Sequence, residues 1–190
     1  MTHPVPSPSL LSRRNTLLTA GAVALGASLS RIPSGAVAQS TPVASPAERG
    51  GVELSPGVWA EVFAGVPSAR AKGQTVYLAR FTFYPGSEIF PHYHPGTVLL
   101  SVASGTFGWT LVEGTAYVVR GAAACATDQA QELGEQGANV LLELGDAIYY
   151  EDDVVHTARG AGDTPTIVFG ALVLTSDEPL LMPMDGAMMH

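Results

Sequence analysis

Short apolar runs separated by glycine, proline and aspartate fill the chain from Val52 onward. No stretch of this region shows sustained helical periodicity. Regularly spaced short strands with turn residues between them are typical of an all-β sandwich or barrel. The pattern predicts strands at Thr75–Tyr84, Thr97–Ala103, Phe107–Val112, Ala116–Arg120, Asn139–Leu144, Ala147–Tyr150, Val154–Arg159 and Thr166–Thr175.

One segment, Gly121–Gly137, interrupts this pattern because it is polar and rich in alanine and glutamine. We predict a loop there, with one helical turn at Asp128–Leu133. No sequence period of about 20 to 50 residues recurs, which excludes a solenoid or a propeller.

The N-terminal residues have a different pattern. Arg13 and Arg14 precede a short run rich in alanine and glycine, and Ala36-Val37-Ala38 fits the small-x-small pattern of a cleavage site. The run is too short to cross a bilayer comfortably, since a span needs about 20 apolar residues. We therefore predict a twin-arginine-like signal peptide over residues 1–38, export to a periplasmic, extracellular or cell-surface location, and no permanent membrane anchor. The Tat and Sec routes both stay open.

The remaining organisation follows from composition. Residues 39–50 are rich in proline, serine and glycine and predict a flexible linker. The pattern of strands places the barrel domain at 51–175 and leaves a C-terminal tail at 176–190.

Charge and cysteine content exclude several classes of function. After residue 38 the chain has 6 basic and 17 acidic side chains, a net charge of −11. Such a surface repels phosphate backbones, so we expect no nucleic-acid partner. The single cysteine, Cys125, excludes a disulfide within the chain and a cysteine-rich zinc site.

Two histidines lie one residue apart in the segment FPHYHPG. In a strand, positions two apart share a face, so His92 and His94 are predicted to point the same way. Neutral imidazoles are common metal ligands, although the pair alone also fits an exposed turn beside prolines. A third histidine, His156, lies on the predicted strand Val154–Arg159. His3 and His190 lie in the signal peptide and at the terminus, so no other histidine competes within the barrel domain.

The segments around these three histidines resemble the two motifs of the cupins. The first cupin motif, G-x5-H-x-H-x3/4-E-x6-G, matches the spacing from Gly86 to Gly105. The second, G-x5-P-x-G-x2-H-x3-N, matches from Gly145 to Gly160, which gives a motif core of 86–160. The resemblance implies a cupin-type double-stranded β-helix, also called a jelly-roll barrel. It further implies that His92, His94 and His156 bind a divalent transition metal (Zn, Fe, Mn, Ni or Cu), that a small-molecule ligand binds in the barrel, and that the protein forms a homodimer.

The sequence departs from the cupin motifs at four positions. Val98 lies where the cupins usually have a glutamate ligand, and Glu151, Asp153 and Gly160 replace the proline, glycine and asparagine of the second motif. Glu88 supplies the missing carboxylate if the strand is unbroken, and it is otherwise a residue of the pocket rim. Water or an external anion completes the metal site in a second alternative, and the site is degenerate in a third.

The acidic run at residues 151–153 also has two interpretations. It is either a solvated turn or an acidic rim that draws in cations or raises the pKa of His156.

Two functions are compatible with these features. The first is an exported metal-dependent enzyme of the dioxygenase, isomerase or decarboxylase type, acting on a small organic molecule. The second is a non-catalytic module that binds a metal or a small molecule through a degenerate site. The fold alone does not separate them, because one fold hosts many chemistries.

Overall fold

The computed structural model describes residues 44–121 and 129–184. The predicted signal peptide, its cleavage site and the start of the linker lie outside the described residues, as do Cys125, Asp128 and the last six residues. The described residues contain no α-helix, and none of their elements is a helix long and apolar enough to cross a membrane.

The fold is an all-β jelly-roll barrel made of two antiparallel sheets. The larger sheet has eight strands in the order β1-β2-β3-β12-β5-β10-β7-β8, and the smaller has five in the order β13-β4-β11-β6-β9. The strands are β1 Val52–Ser55, β2 Val58–Pro67, β3 Gln74–Phe83, β4 Glu88–Tyr93, β5 Gly96–Ser104, β6 Phe107–Glu113, β7 Ala116–Val119, β8 Gln131–Leu133, β9 Asn139–Leu142, β10 Ala147–Tyr150, β11 Val155–Gly160, β12 Thr166–Thr175 and β13 Met182–Pro183.

All eight predicted strands are confirmed, with ends that differ by no more than two residues. The helical turn predicted at Asp128–Leu133 is wrong for Gln131–Leu133, which forms β8 and pairs with β7. Strand β2 was not predicted, since a bulge between Val62 and Ala64 interrupts its alternation and several of its outward-facing side chains are also apolar.

The hydrophobic core lies between the two sheets. Trp109 and Leu111 of the five-stranded sheet are almost fully buried, and so are Ile148 and Leu172 of the eight-stranded sheet. Alternate residues of each strand contribute to this layer, as expected where two sheets pack face to face. The inward-facing positions of β4, β10 and β11 therefore lie in an apolar environment.

A buried carboxylate ties the N-terminal segment to the eight-stranded sheet. Glu61 on β2 is 4% exposed and accepts hydrogen bonds from Arg49 and Arg80. The Nε atoms of both arginines lie 2.6 Å from its oxygens. These two arginines hold the pKa of Glu61 down at about 2. The Arg49–Glu61–Arg80 cluster thus fixes the chain just before β1 against the barrel.

The segment after β12 crosses back over the five-stranded sheet. Strand β13 pairs with β4 at Tyr93 and His92. This pairing places Leu180 and Leu181, which precede β13, at a cavity inside the barrel that is described below. We call residues 179–182 the C-terminal strap.

Candidate metal centre

A bulge in β4 decides which side chains face the interior. His156 of β11 pairs with His92, but Ala158 pairs with Ile89, so β4 has one extra residue in this interval. The extra residue, at Phe90–Pro91, lets Ile89 and His92 both point into the barrel. His94 lies two residues beyond His92 and points the same way, as the sequence predicts.

The fold brings the three predicted histidines together. Their candidate ligand atoms all lie within 4.8 Å of one another. The ring centroids of His92 and His156 are 4.3 Å apart, and that of His94 lies 5.2 and 5.4 Å from them. Each side chain is more than nine-tenths buried. Three imidazoles in this arrangement can hold one metal ion.

Backbone carbonyls fix the tautomer of each imidazole. The Nδ1 atoms of His92, His94 and His156 lie 2.8, 2.5 and 3.2 Å from the carbonyl oxygens of Phe90, Leu180 and Val154. A carbonyl only accepts, so each Nδ1 carries the proton and donates it. The Nε2 atoms are therefore unprotonated and carry the lone pairs that can accept a hydrogen bond or bind a metal. A hydrogen bond of this kind to the second nitrogen is the usual way to orient a metal-binding histidine.

Burial keeps these imidazoles neutral at physiological pH. It lowers the pKa of His92 to about 4, and it lowers the pKa of His94 to about 3 with a further contribution from repulsion by His92. Burial, followed by the same repulsion from the other two histidines, holds the pKa of His156 well below its ordinary value. Neutral imidazole is the form that binds a metal, so no proton has to leave these rings at pH 7.

Two aromatic side chains that were not predicted from the sequence complete the site. Tyr150 of β10 faces the histidines from the other sheet, and its hydroxyl donates to His156 Nε2 over 3.1 Å. Burial raises the pKa of the Tyr150 hydroxyl, so it stays protonated. Trp109 stacks on His156 at 5.1 Å, and its buried Nε1 has no hydrogen-bond partner among the described residues. Tyr150 lies within the second motif, two residues after the inward-facing Ile148, so alternation along β10 is the signal that could have identified it as an inward-facing side chain.

The two predicted pocket residues lie in different places. Glu88 is exposed, because the bulge in β4 breaks its parity with His92. It is a rim residue and contributes no carboxylate to the cluster. Val98 is fully buried between Tyr150 and Leu172 on neighbouring strands. Among the described residues, no aspartate or glutamate lies close enough to join the three histidines.

The departures from the second cupin motif have local structural reasons. Asp153 adopts a left-handed conformation with φ of 69°, which aspartate tolerates better than most residues. A Cβ atom at Gly160 would lie 2.6 Å from the carbonyl oxygen of Tyr84, so no side chain fits there. Glu151 accepts a hydrogen bond from Thr97 Oγ1 over 2.6 Å.

The acidic run at residues 151–153 is exposed, which fits the solvated turn. The alternative, in which the run raises the pKa of His156, is wrong because burial lowers that pKa.

A small apolar cavity adjoins the three histidines. It has a volume of about 30 Å³, enough for an ion or a water molecule beside the imidazoles. The side chains that line it, besides the histidines and Tyr150, are all hydrophobic: Leu54, Phe81, Phe83, Ile89, Leu100, Phe107, Ala158, Val168, Leu180 and Leu181. The described lining therefore contains no carboxylate, lysine, arginine or cysteine.

No protein-family model matches this sequence, and no curated protein matches it. The chain is similar in structure to an oxalate decarboxylase from Bacillus subtilis with Mn(II) centres, at 17% identity and a TM-score of 0.42, covering 67% of this chain and 27% of that one. It is similar to a cupin 2 conserved barrel domain protein from Leptotrichia buccalis, at 15% identity and a TM-score of 0.41, covering 64% and 44%. It is also similar to an Acinetobacter L-ribose isomerase, at 14% identity and a TM-score of 0.47, covering 64% and 60%.

This chain spans less than a third of the oxalate decarboxylase chains that it matches. Structural similarity at these identities and TM-scores is no evidence that this chain shares the reactions of those proteins.

Proposed function

We propose that this protein binds one divalent transition metal through the Nε2 atoms of His92, His94 and His156. One observation carries the proposal: all three Nδ1 atoms are tied to backbone carbonyls, which leaves the Nε2 atoms as acceptors, and the candidate ligand atoms of the three rings lie within 4.8 Å of one another. Nitrogen ligands suit Zn, Fe, Mn, Ni and Cu, so the donor set fits this group of metals and favours none of them.

The donor set leaves room for chemistry at the ion. Three protein ligands and an open position are typical of a catalytic site, where a bound metal polarises a substrate oxygen or activates water. Tyr150 is the one hydroxyl in the lining, and it is placed to donate a hydrogen bond to a ligand atom near His156. We propose a metal-dependent enzyme of the dioxygenase, isomerase or decarboxylase type, acting on a small organic molecule.

A non-catalytic binding module is the second candidate, and the apolar lining favours it. Apart from the histidines and Tyr150, no described residue of the cavity can exchange a proton. A reaction that needs a protein carboxylate as general base therefore has no such group at this site. Metal binding is common to both candidates, and turnover of a substrate separates them.

Metal content tests the proposal directly. The protein is isolated from its native compartment without chelators and analysed for metals, and each of the five metals is then added to chelator-treated protein. Bound metal, or a rise in melting temperature with at least one ion, is expected because an ion that binds only the folded state stabilises it. Protein that carries no metal and does not respond to any of the five ions would contradict metal binding.

We also propose that the protein is exported with cleavage after Ala38. The support is the pair Arg13-Arg14, the apolar run that follows and the sequence Ala36-Val37-Ala38. N-terminal sequencing of the exported form is expected to begin at Gln39. A membrane-retained chain that still begins with Met1 would contradict cleavage.

A further inference from the structure

A second pocket shares lining residues of the C-terminal strap with the cavity at the metal centre. It has a volume of about 340 Å³, within the range of small-molecule sites. Its lining is entirely apolar or glycine: Gly50, Val52, Leu54, Ala60, Val62, Pro179, Leu180 and Leu181. We call it the outer pocket.

Three leucines separate the outer pocket from the metal centre. Leu54, Leu180 and Leu181 line both cavities. The inner cavity, at about 30 Å³, has no room for an organic molecule beside the histidines. A ligand that reaches the metal from the outer pocket keeps most of its volume there and passes between these side chains.

The strap that carries two of these leucines is joined to the metal centre itself. The carbonyl of Leu180 accepts the hydrogen bond from His94 Nδ1. The strap is otherwise held by the two-residue strand β13 and by a hydrogen bond from the Met184 amide to the Pro91 carbonyl. Few bonds have to break for Leu180 and Leu181 to move, and movement there changes the support of a metal ligand.

The charges define the class of ligand. An ion held by three neutral imidazoles keeps its full positive charge, and an apolar cavity supplies no counter-ion. A buried charge is costly unless it is paired. An anionic oxygen bound to the ion would neutralise part of this charge. The Tyr150 hydroxyl is placed to donate a hydrogen bond to that oxygen. The apolar outer pocket, in turn, fits a hydrocarbon body.

We propose that the outer pocket binds the hydrocarbon body of a small amphiphilic anion, such as a carboxylate, whose oxygen passes the Leu54, Leu180 and Leu181 wall to reach the metal. This inference rests on the metal site proposed above.

The test uses hexanoate as the probe and 1-hexanol as its uncharged analogue. Binding of each to purified protein is measured by calorimetry, with and without the metal that gives the largest rise in melting temperature. We expect hexanoate to bind at least about tenfold more tightly to the metal-loaded protein than to the chelator-treated protein, a difference of about 1.4 kcal/mol. Hexanol is expected to show no comparable dependence on metal.

Two valines of β2 provide a matched pair of variants. Val62 lines the outer pocket, whereas Val66 lies outside it on the same strand, and both are exposed. Val62→Glu places a negative charge in the path of the hydrocarbon and is expected to weaken hexanoate binding at least about tenfold. Val66→Glu is expected to leave it unchanged. Because both positions are exposed, both variants are expected to fold, and their circular dichroism spectra check this.

The outcomes separate the two proposals. If a metal binds but hexanoate binds equally well without it, or if the two valine variants behave alike, the outer-pocket inference is wrong and the metal site stands. If no metal binds, the metal site is wrong and this inference is overturned with it.

Discussion

The three-histidine cluster and the Arg49–Glu61–Arg80 cluster both consist of buried or partly buried polar side chains. They differ in which groups neutralise their charges and accept or donate their hydrogen bonds. Glu61 is surrounded by guanidinium donors that neutralise its charge. The histidines have no opposite charge beside them within the described residues, and they remain neutral because burial lowers their pKa values.

This difference separates a structural cluster from a binding site. In the first cluster, the carboxylate of Glu61 already accepts four hydrogen bonds from two guanidinium groups, so its charge is paired. In the second, each imidazole is held at Nδ1, which leaves its Nε2 as an acceptor, and the candidate ligand atoms of the three rings lie within 4.8 Å of one another. Within the described part of the chain, only the Nε2 of His156 is engaged, by the Tyr150 hydroxyl. A buried cluster in which two of six ring nitrogens, Nε2 of His92 and of His94, have no hydrogen-bond partner among the described residues is a candidate site for an ion.

The largest expected effect is a loss of stability in mild acid. The folded-state pKa values of the histidines lie below their ordinary value of 6.5, so between pH 6.5 and about 4 the unfolded chain binds more protons. Stability is therefore fully present above pH 6.5 and falls as the pH falls, by up to about 1.4 kcal/mol per pH unit for each histidine. The free energy of unfolding of metal-free protein, measured with urea at pH 7, 6 and 5, tests this prediction.

The Arg49–Glu61–Arg80 cluster affects stability in a lower pH range. The pKa of Glu61 is lowered from 4.5 to about 2, so its contribution is present above pH 4.5 and is lost below it. Glu61→Ala should therefore leave the slope between pH 7 and pH 5 unchanged, whereas His156→Gln should make it shallower. Equal stability at pH 7 and pH 5 would contradict neutral buried histidines.

The next prediction concerns Val98→Glu, which restores the carboxylate that the cupin motif has and this sequence lacks. Val98 is fully buried and pairs with Tyr150, which faces the histidines. Val98→Glu should lower the free energy of unfolding of the metal-free protein by about 3 kcal/mol, because it buries an unpaired acid. Added metal should recover more of this loss than it adds to the wild type. Denaturant titrations with and without metal decide it, and Val98→Gln serves as the uncharged control.

Removal of one imidazole should weaken metal binding by at least about 100-fold, since loss of an outer-shell partner alone costs 10–100-fold. His156→Gln tests this by competition with a fluorescent chelator. Glu88→Gln is the matched control, because Glu88 lies on the same sheet but faces solvent. A comparable loss in the Glu88 variant would mean that the rim carboxylate reaches the metal.

Breaking the Arg49–Glu61–Arg80 cluster should affect stability alone. Glu61→Ala leaves two partly buried guanidinium groups without their acceptor and should cost about 2–3 kcal/mol. For a chain of this size that corresponds to a fall in melting temperature of roughly 4–12 °C. Metal affinity should stay within error of the wild type. A clear loss of metal affinity would show that the two clusters are coupled.

The smallest effect concerns Tyr150. Its hydroxyl donates to His156 Nε2, the atom that a metal would need. Because coordination breaks this hydrogen bond, Tyr150→Phe should tighten metal binding by about two- to tenfold, the net value of one such bond. The same competition assay measures it. Weaker binding would indicate that the hydroxyl instead holds a water molecule or anion on the ion.

The sequence by itself determined eight of the thirteen described strands and singled out the three histidines. Alternation and turn residues are local signals, so β3, β5, β6, β7 and β9 to β12 could be placed without a structure. The two-residue spacing of His92 and His94 fixed their common face for the same reason. The cupin-like register supplied the third histidine, since no local pattern relates residues so far apart.

Only the tertiary structure decided how those residues are arranged. The bulge that turns Glu88 to solvent is visible only in the pairing of β4 with β11. The carbonyl of Leu180 that orients His94, and the hydroxyl of Tyr150 that reaches His156, come from distant parts of the chain. Tautomer, pKa and access to the site depend on these contacts, and such contacts depend on the packing of the two sheets, which alternation along a single strand does not encode.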